Sequence, residues 1–379
     1  MPSETAPAAG TETGRAPATT AEIESAPQGA LRRAARRAAR ARLAVGLGLV
    51  VVVAAAVVVA LLVGPTRLSI GEVVGALGRR LSGREAASWR DTVVVSVRLP
   101  RALVALLVGG GFAVAGAALQ GLFRNPLADP GVLGVSSGAS LGAVVAISAG
   151  IASHAIWTLP FAAFAGAAAD VLLVFAIAAR RGRGRLFSGT LLLVGVAVGA
   201  LNVSLTTFVL SAALARYDAG RQIVYWLLGA LEARTWDHVL LGAPAVLIGV
   251  AIIIAHAREL DALLLGEMGA ASVGVDVARV RLRVVLASAL VVGASVAVAG
   301  PIGFVGLLVP HLIRLAVGSA HRALIPLAFL GGGLFLLIAD VVARTLPARE
   351  IPVGVVTAAI GAPAFLILLL RRRTVGTVS

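Results

Sequence analysis

Residues 98–130 read RLPRALVALLVGGGFAVAGAALQGLFRNPLADP. From Ala102 to Leu122 no charged residue interrupts the run. A helix of roughly twenty residues rises about 30 Å, the thickness of a bilayer's hydrocarbon core. Apolar residues follow one another without alternation, so the period is not that of a half-buried strand. Backbone polar groups in hydrocarbon must be satisfied within the segment, which leaves helices and closed barrels. The run therefore reads as a membrane helix. Arg98 and Arg101 stand at one end. Asn125-Pro126 and Asp129-Pro130 stand past the other. Proline disfavours helix at the residue before it, so that end is a tight turn.

Working outward, similar runs recur near 43–63, 131–150, 157–179, 190–212, 237–257, 283–300, 303–318, 323–342 and 352–370. With 101–121 they predict an all-α, polytopic membrane protein of about ten transmembrane helices. The composition agrees. Hydrophobic residues make up 59% and charged residues 13%. An ordinary soluble protein carries about twice that charge fraction. Cysteine is absent, which excludes disulfides, thiolate metal sites and thiol nucleophiles. Lysine is absent too, and all 33 basic residues are Arg. A P-loop needs a Lys to reach the phosphates, so this chain holds no Walker-type ATPase site.

Residues 1–42 divide into a tail rich in Ala, Thr, Glu and Pro and an Arg/Ala arm at 32–42. The tail reads as disordered. The first apolar run is too long for a signal peptide and lacks a small-residue cleavage pattern, so it reads as a retained helix. The membrane-spanning body runs over 43–373, and 374–379 is a short C-terminal tail. With the N-terminus inside, 21 of the Arg residues fall in inner segments and 12 in outer ones. Seven of those 12 lie in one long outer loop, 64–101, and long loops weigh little in the positive-inside rule. That loop contains Ser69 to Leu81, which predicts a short amphipathic surface helix. Ala113-Val114-Ala115-Gly116 recurs as Ala297-Val298-Ala299-Gly300, a faint echo of an internal repeat.

Few ionisable residues fall inside the spans. Asp170 is the deepest, and a carboxylate there is a functional candidate by default. A Ser/Thr or Arg partner across helices is the competing explanation. Gln120 and Asn202 are suited to tying helices together. Pro301, Pro310, Pro352 and Pro363 predict kinks. Of the five histidines, His256 and His321 fall in inner loops and His154 and His238 near the outer face, where solvated loop residues are expected. No metal-ligating set and no catalytic constellation stands out. The inner loop 258–283 is unusual, because Leu263-Leu264-Leu265-Gly266 and Met268 to Val275 carry apolar residues with Gly breaks where a cytoplasmic loop should be polar. Short helices that lay an apolar face in a partner's groove would explain it, and so would an amphipathic loop lying against the membrane or the protein's own helices.

Several blocks resemble the FecCD-type permeases of ATP-binding-cassette importers for iron–siderophores, heme and vitamin B12. They are Arg98-Leu99-Pro100-Arg101, Gly116 to Gln120, Asn125-Pro126-Leu127-Ala128 and Pro130 to Gly138. Gly300 to Leu307 with Pro310-His311 and Arg314 continues the match, as do Ala339 to Arg344, Glu350 to Gly354 and Gly361-Ala362-Pro363. The resemblance spans roughly 43–373. It implies a vitamin B12 importer permease-like fold, a homodimer, two copies of a separate ATPase subunit and one substrate-binding protein. It implies no permanently bound cofactor, with ATP used by the partner subunit. It implies that Arg98, Arg101 and Arg344 meet acids on the binding protein as exposed guanidinium forks; snorkelling, or an Asp340–Arg344 pair, is the plainer alternative. It implies that Leu265, Gly266, Glu267, Ala271 and Gly274 couple to the ATPase. Ser188 and Thr190 would narrow the inner end of the pathway, with Asn202 a further candidate. Gly121 to Pro130 looks most like the heme-importing members, with siderophore and cobalamin as the other cargoes. The implied location is a bacterial plasma membrane with both termini cytoplasmic. A stand-alone ion-coupled transporter would want several acids or His inside the spans, and Asp170 is almost alone.

Overall fold

The computed structural model describes residues 28–181, 188–346 and 350–373. Of the expected N-terminal tail, 1–30, residues 1–27 lie outside them and 28–30 are helical; the expected C-terminal tail, 374–379, lies outside them too. The chain divides into two units, 1–44 and 45–379. In chain order the helices are α1 (Gln28–Leu62), α2 (Ile70–Leu81), α3 (Trp89–Leu122), α4 (Val135–Ser148) and α5 (Thr158–Arg181). Then come α6 (Ser188–Ala213), α7 (Tyr217–Leu227), α8 (Trp236–Ala255), α9 (Ala257–Leu263) and α10 (Glu267–Ser272). The last are α11 (Val277–Ala299), α12 (Val305–Val317), α13 (His321–Thr345) and α14 (Val353–Arg373). The Arg-rich arm at 32–42 is thus the first part of α1.

Among the described residues, seven helices are long and apolar enough to cross a membrane: α1, α3, α5, α6, α8, α11 and α13. Three shorter apolar ones, α4, α12 and α14, occupy the remaining expected spans. All ten apolar segments are therefore helical, but ten is an approximate count of crossings. At 14 and 13 residues, α4 and α12 rise only about 20 Å each. Each follows a break: the 3-10 turn Pro130–Leu133 before α4, and the segment 300–304 before α12, where Gly300 and Phe304 take positive φ. The sequence echo does not mark equivalent places. Gly116 lies inside α3, whereas Gly300 ends α11.

The second span begins earlier than the sequence suggests. Pro100 has no N–H for the preceding turn, and a π-helical turn at Val93–Arg98 accommodates it, so the helix runs unbroken from Trp89. This α3 is the central post, with 83% of its apolar window buried against 11% for α1. It packs on α8, α11, α12 and α13. Small residues permit the approach. A Cβ at Gly116 would lie 1.9 Å from the Gly306 carbonyl oxygen, and one at Gly109 would lie 2.3 Å from that of Gly332. Gln120 Nε2 reaches the Gly306 and Leu307 carbonyls at 3.3 and 3.2 Å, tying α3 to the start of α12.

The expected surface helix is α2. Ser69 caps it with a reciprocal box: the Glu72 N–H donates to Ser69 Oγ (3.3 Å) and the Ser69 N–H donates to Glu72 Oε2 (2.7 Å). Val73 and Ala76 bury its inner face.

Candidate functional site

The three arginines singled out by sequence do come together, at the end of α3 and α13 opposite the α9–α10 loop. The structure corrects the expectation that they stand exposed: Arg98 is 5% exposed, and Arg101 and Arg344 are 9% each. The reason is the longer α3, which carries Arg98 and Arg101 inside the helix rather than in a loop before it. Arg101 Nε and Nη2 donate to Asp340 Oδ1 at 2.9 and 2.7 Å, and Arg101 also pairs with Glu350. Asp340 lies 3.5 Å from Arg344 Nε, so the local i,i+4 pair exists but is secondary to Arg101. Arg98 Nη1 donates to the Leu61 carbonyl (2.7 Å) and Nη2 bonds that of Thr66. Arg344 Nη2 donates to the Ala60 carbonyl (2.7 Å). Two guanidinium groups therefore satisfy the carbonyls that the C-terminus of α1 leaves without partners, where a cation also suits the helix dipole. Behind them Arg234, in the loop before α8, has its pKa lowered to about 10 by burial and then by the charge of Arg101, with Glu232 opposing. A cavity of about 600 Å³ opens beside the cluster, lined by Gly64, Pro65, Arg67, Arg344 and Glu350 among others.

Inside the bundle, Asp170 on α5 is 4% exposed. Asn202 Nδ2 donates to its Oδ1 (2.7 Å) and reaches Ser137 Oγ at 3.3 Å. Asp170 Oδ2 rests against Gly134, at the N-terminus of the short helix α4, where the dipole favours a carboxylate. The partner of Asp170 is therefore an amide, and the triad ties α4, α5 and α6. Asn202 is spent in that tie. Thr190 is half-buried at the start of α6, and the side chain of Ser188 lies outside the described residues.

The loop between α8 and α11 folds as two short helices with opposite characters. α9 is buried beneath: Ala257, Leu260 and Leu263 join the core against α3 and α13. α10 is presented outward, with Leu265 73% and Met268 89% exposed, and Val273 exposed beside them. Gly266 (φ +96°) and Gly274 (φ +87°) bracket α10 in conformations that L residues rarely adopt. Glu267 pairs with Arg281 of α11. Asp261 Oδ1 accepts from the backbone N–H of His321 (2.7 Å) and lies 2.8 Å from its Nδ1. His321 is accordingly not a solvated loop residue but 1% exposed. His238 is likewise buried, with Nδ1 against Thr235. The nearby turn after α3 is held by two local side-chain bonds: Asn125 Oδ1 accepts from Leu127 N–H (2.9 Å) and Asp129 Oδ1 from Gly131 N–H (2.8 Å). Among the described residues no group of three or more His, Asp or Glu could hold a metal.

A family model for the FecCD transport family matches residues 50–371. The chain belongs to the FecCD transport family. Its relatives include the cobalamin import system permease protein BtuC of Halobacterium salinarum, 46% identical over 74% of this chain and 73% of that one. The hemin transport system permease protein HmuU of Yersinia pestis is 42% identical over 76% and 85%. A metal-chelate-type ABC transporter solved in an inward-facing conformation superposes with a TM-score of 0.76, at 32% identity, covering 86% of this chain and 98% of that one.

In this FecCD protein, sequence reasoning named Leu265, Gly266, Glu267, Ala271 and Gly274 for coupling and noted the apolar stretch Met268 to Val275 without giving Met268 or Val273 a role. Their signal was present, as apolar side chains in a loop. Asp261 and Glu350 stood in stretches the same reasoning singled out, the inner loop and the block from Glu350 to Gly354, but neither was given a role, because a single acid in a loop has no pattern until its partner is known.

Proposed function

We propose that this chain is the membrane-spanning subunit of an ATP-driven importer whose cargo is an iron chelate, with heme first. It works as a homodimer in a bacterial plasma membrane, with both termini cytoplasmic. Two ATPase subunits grip the loop at Leu265, Gly266, Glu267, Ala271 and Gly274, and one binding protein docks at the opposite end, around Arg98, Arg101 and Arg344. Thr190 and Ser188 border the inner end of the pathway, with Asn202 behind them. ATP closes the ATPase pair, the loops move, and the helices rock to alternate access. The chain performs no chemistry on its cargo and needs no cofactor of its own.

One observation carries the reading: Leu265, Met268 and Val273 stand exposed on a helix–turn platform in a chain with no Lys for a P-loop. An exposed apolar patch of that kind marks a protein interface. Energy then comes from the partner that covers it. Cobalamin is the second cargo reading, supported by the 46% identity to a cobalamin permease. The test is uptake into vesicles holding this chain with its ATPase and binding protein, offered heme, cyanocobalamin and a ferric siderophore in turn. ATP-dependent uptake of heme is expected. Uptake driven by a proton or sodium gradient without ATPase would overturn the reading.

A further inference from the structure

We propose that the Asp261–His321 contact is the positioning latch through which the ATPase-facing loop moves α3 and α13 as one body. This rests on the proposed coupling role of that loop. The geometry is a chain of closed contacts. α10 offers its apolar side chains outward, and α9 next to it is buried. Asp261 on α9 takes both the backbone N–H and the Nδ1 proton of His321, the first residue of α13. The carboxylate therefore caps α13 from another segment, since the helix's own N-cap, Ala320, offers no side chain for it. The His321 ring then wedges against α3: Nε2 faces the backbone near Ala117 and Gly121, and a Cβ at Gly121 would lie 2.2 Å from it. One imidazole thus touches the loop, α13 and α3 at once.

The far end of the same two helices is clamped as well. α13 runs 25 residues, about 37 Å, from His321 to Thr345, with Asp340 and Arg344 in its last turns. There Arg101 of α3 bonds Asp340 of α13. Between the clamps Gly109 and Gly332 bring the two backbones into contact. Packed helices joined at both ends and at the middle shift as a unit rather than bend, so displacement of α9 at one face arrives at the arginine cluster on the other.

The test uses the assembled complex of this chain, ATPase and binding protein in vesicles, with whichever of heme, cyanocobalamin and a ferric siderophore the wild type imports. The readout is cargo moved per ATP hydrolysed, normalised to folded complex, alongside ATPase co-purification. Asp261→Ala is expected to keep the ATPase bound while cargo per ATP falls roughly tenfold, within the usual span of coupling energies. Asp261→Asn keeps an acceptor oxygen for the cap and is expected to restore most of the ratio. Gly121→Ala displaces the ring from the other side and is expected to lower the ratio as Asp261→Ala does. If Asp261→Ala lowers only the amount of folded complex while cargo per ATP stays at the wild-type value, the contact serves folding alone and the latch is refuted. A wild-type chain that retains no ATPase through its loop would refute the coupling role first, and the latch with it.

Discussion

Asp340 is the residue on which the arginine cluster balances. It is 1% exposed, accepts from Arg101 and neighbours Arg344. Removing one partner of a buried ion pair leaves a charge without compensation, at a typical cost of about 3–5 kcal/mol. Asp340→Ala should therefore lower the thermal midpoint in detergent well beyond any single surface change, and Asp340→Asn should cost less because it keeps an acceptor. A midpoint unmoved by Asp340→Ala would mean that Glu350 alone holds Arg101. Asp129 behaves in the opposite sense. Burial raises its pKa above the ordinary carboxylate value, partly offset by the Gly131 N–H. A raised folded pKa means that the ionised form is penalised in the folded state. That penalty is fully present near neutral pH and fades as the pH falls through the folded pKa. Asp129→Asn keeps the bond to Gly131, so it should raise the thermal midpoint at pH 7.5, and the gain should vanish as the pH approaches 4. The sequence marked Arg98, Arg101 and Arg344 by resemblance, and the i,i+4 spacing of Asp340 and Arg344 hinted at an internal partner for the last, but nothing in it showed the burial of Arg98 and Arg101. Burial depends on where α3 starts, and a π-helical turn leaves no simple periodic signature.

Among the elements, α3 shows how small residues set helix geometry. Gly116 has the Gly306 carbonyl where a side chain would be, and neither backbone can yield without breaking the Gln120 bonds to Gly306 and Leu307. Gly116→Val should therefore destabilise by more than about 2 kcal/mol, the scale of overpacking in a dense core, and reduce the yield of folded protein. Gly78 on α2 is the control, since nothing lies within 4 Å of a Cβ there. Gly78→Ala should stabilise by up to about 1 kcal/mol through helix propensity alone. Equal behaviour of the two substitutions would contradict the close α3–α12 contact. Hydropathy found the seven long apolar helices and the three short ones, because each needs an apolar run to exist in hydrocarbon, but not α7. It could not rank them. The run in α1 is as apolar as any, yet α1 is the most exposed span and α3 the most buried.

For the whole molecule the two ends differ in kind. One end closes its charges on itself in the Arg101–Asp340–Glu350 cluster, and the α9–α10 end leaves apolar side chains open at Leu265, Met268 and Val273. Leu265→Asp with Met268→Asp should abolish co-purification with the ATPase while leaving the thermal midpoint near wild type, since neither side chain packs in the bundle. Retained ATPase binding in that double variant would move the interface elsewhere on the chain. Composition, the spacing of apolar runs and the FecCD blocks were enough to establish a polytopic helical transport protein without a Walker-type ATPase site. Those features are local, because a bilayer imposes its rule on each segment separately. Which charges are buried, which helix stands at the centre and which acid reaches His321 are pairings between residues far apart in the chain. Only the packed bundle brings such residues within bonding distance, and only there does a carboxylate become a cap, a counter-ion or a latch.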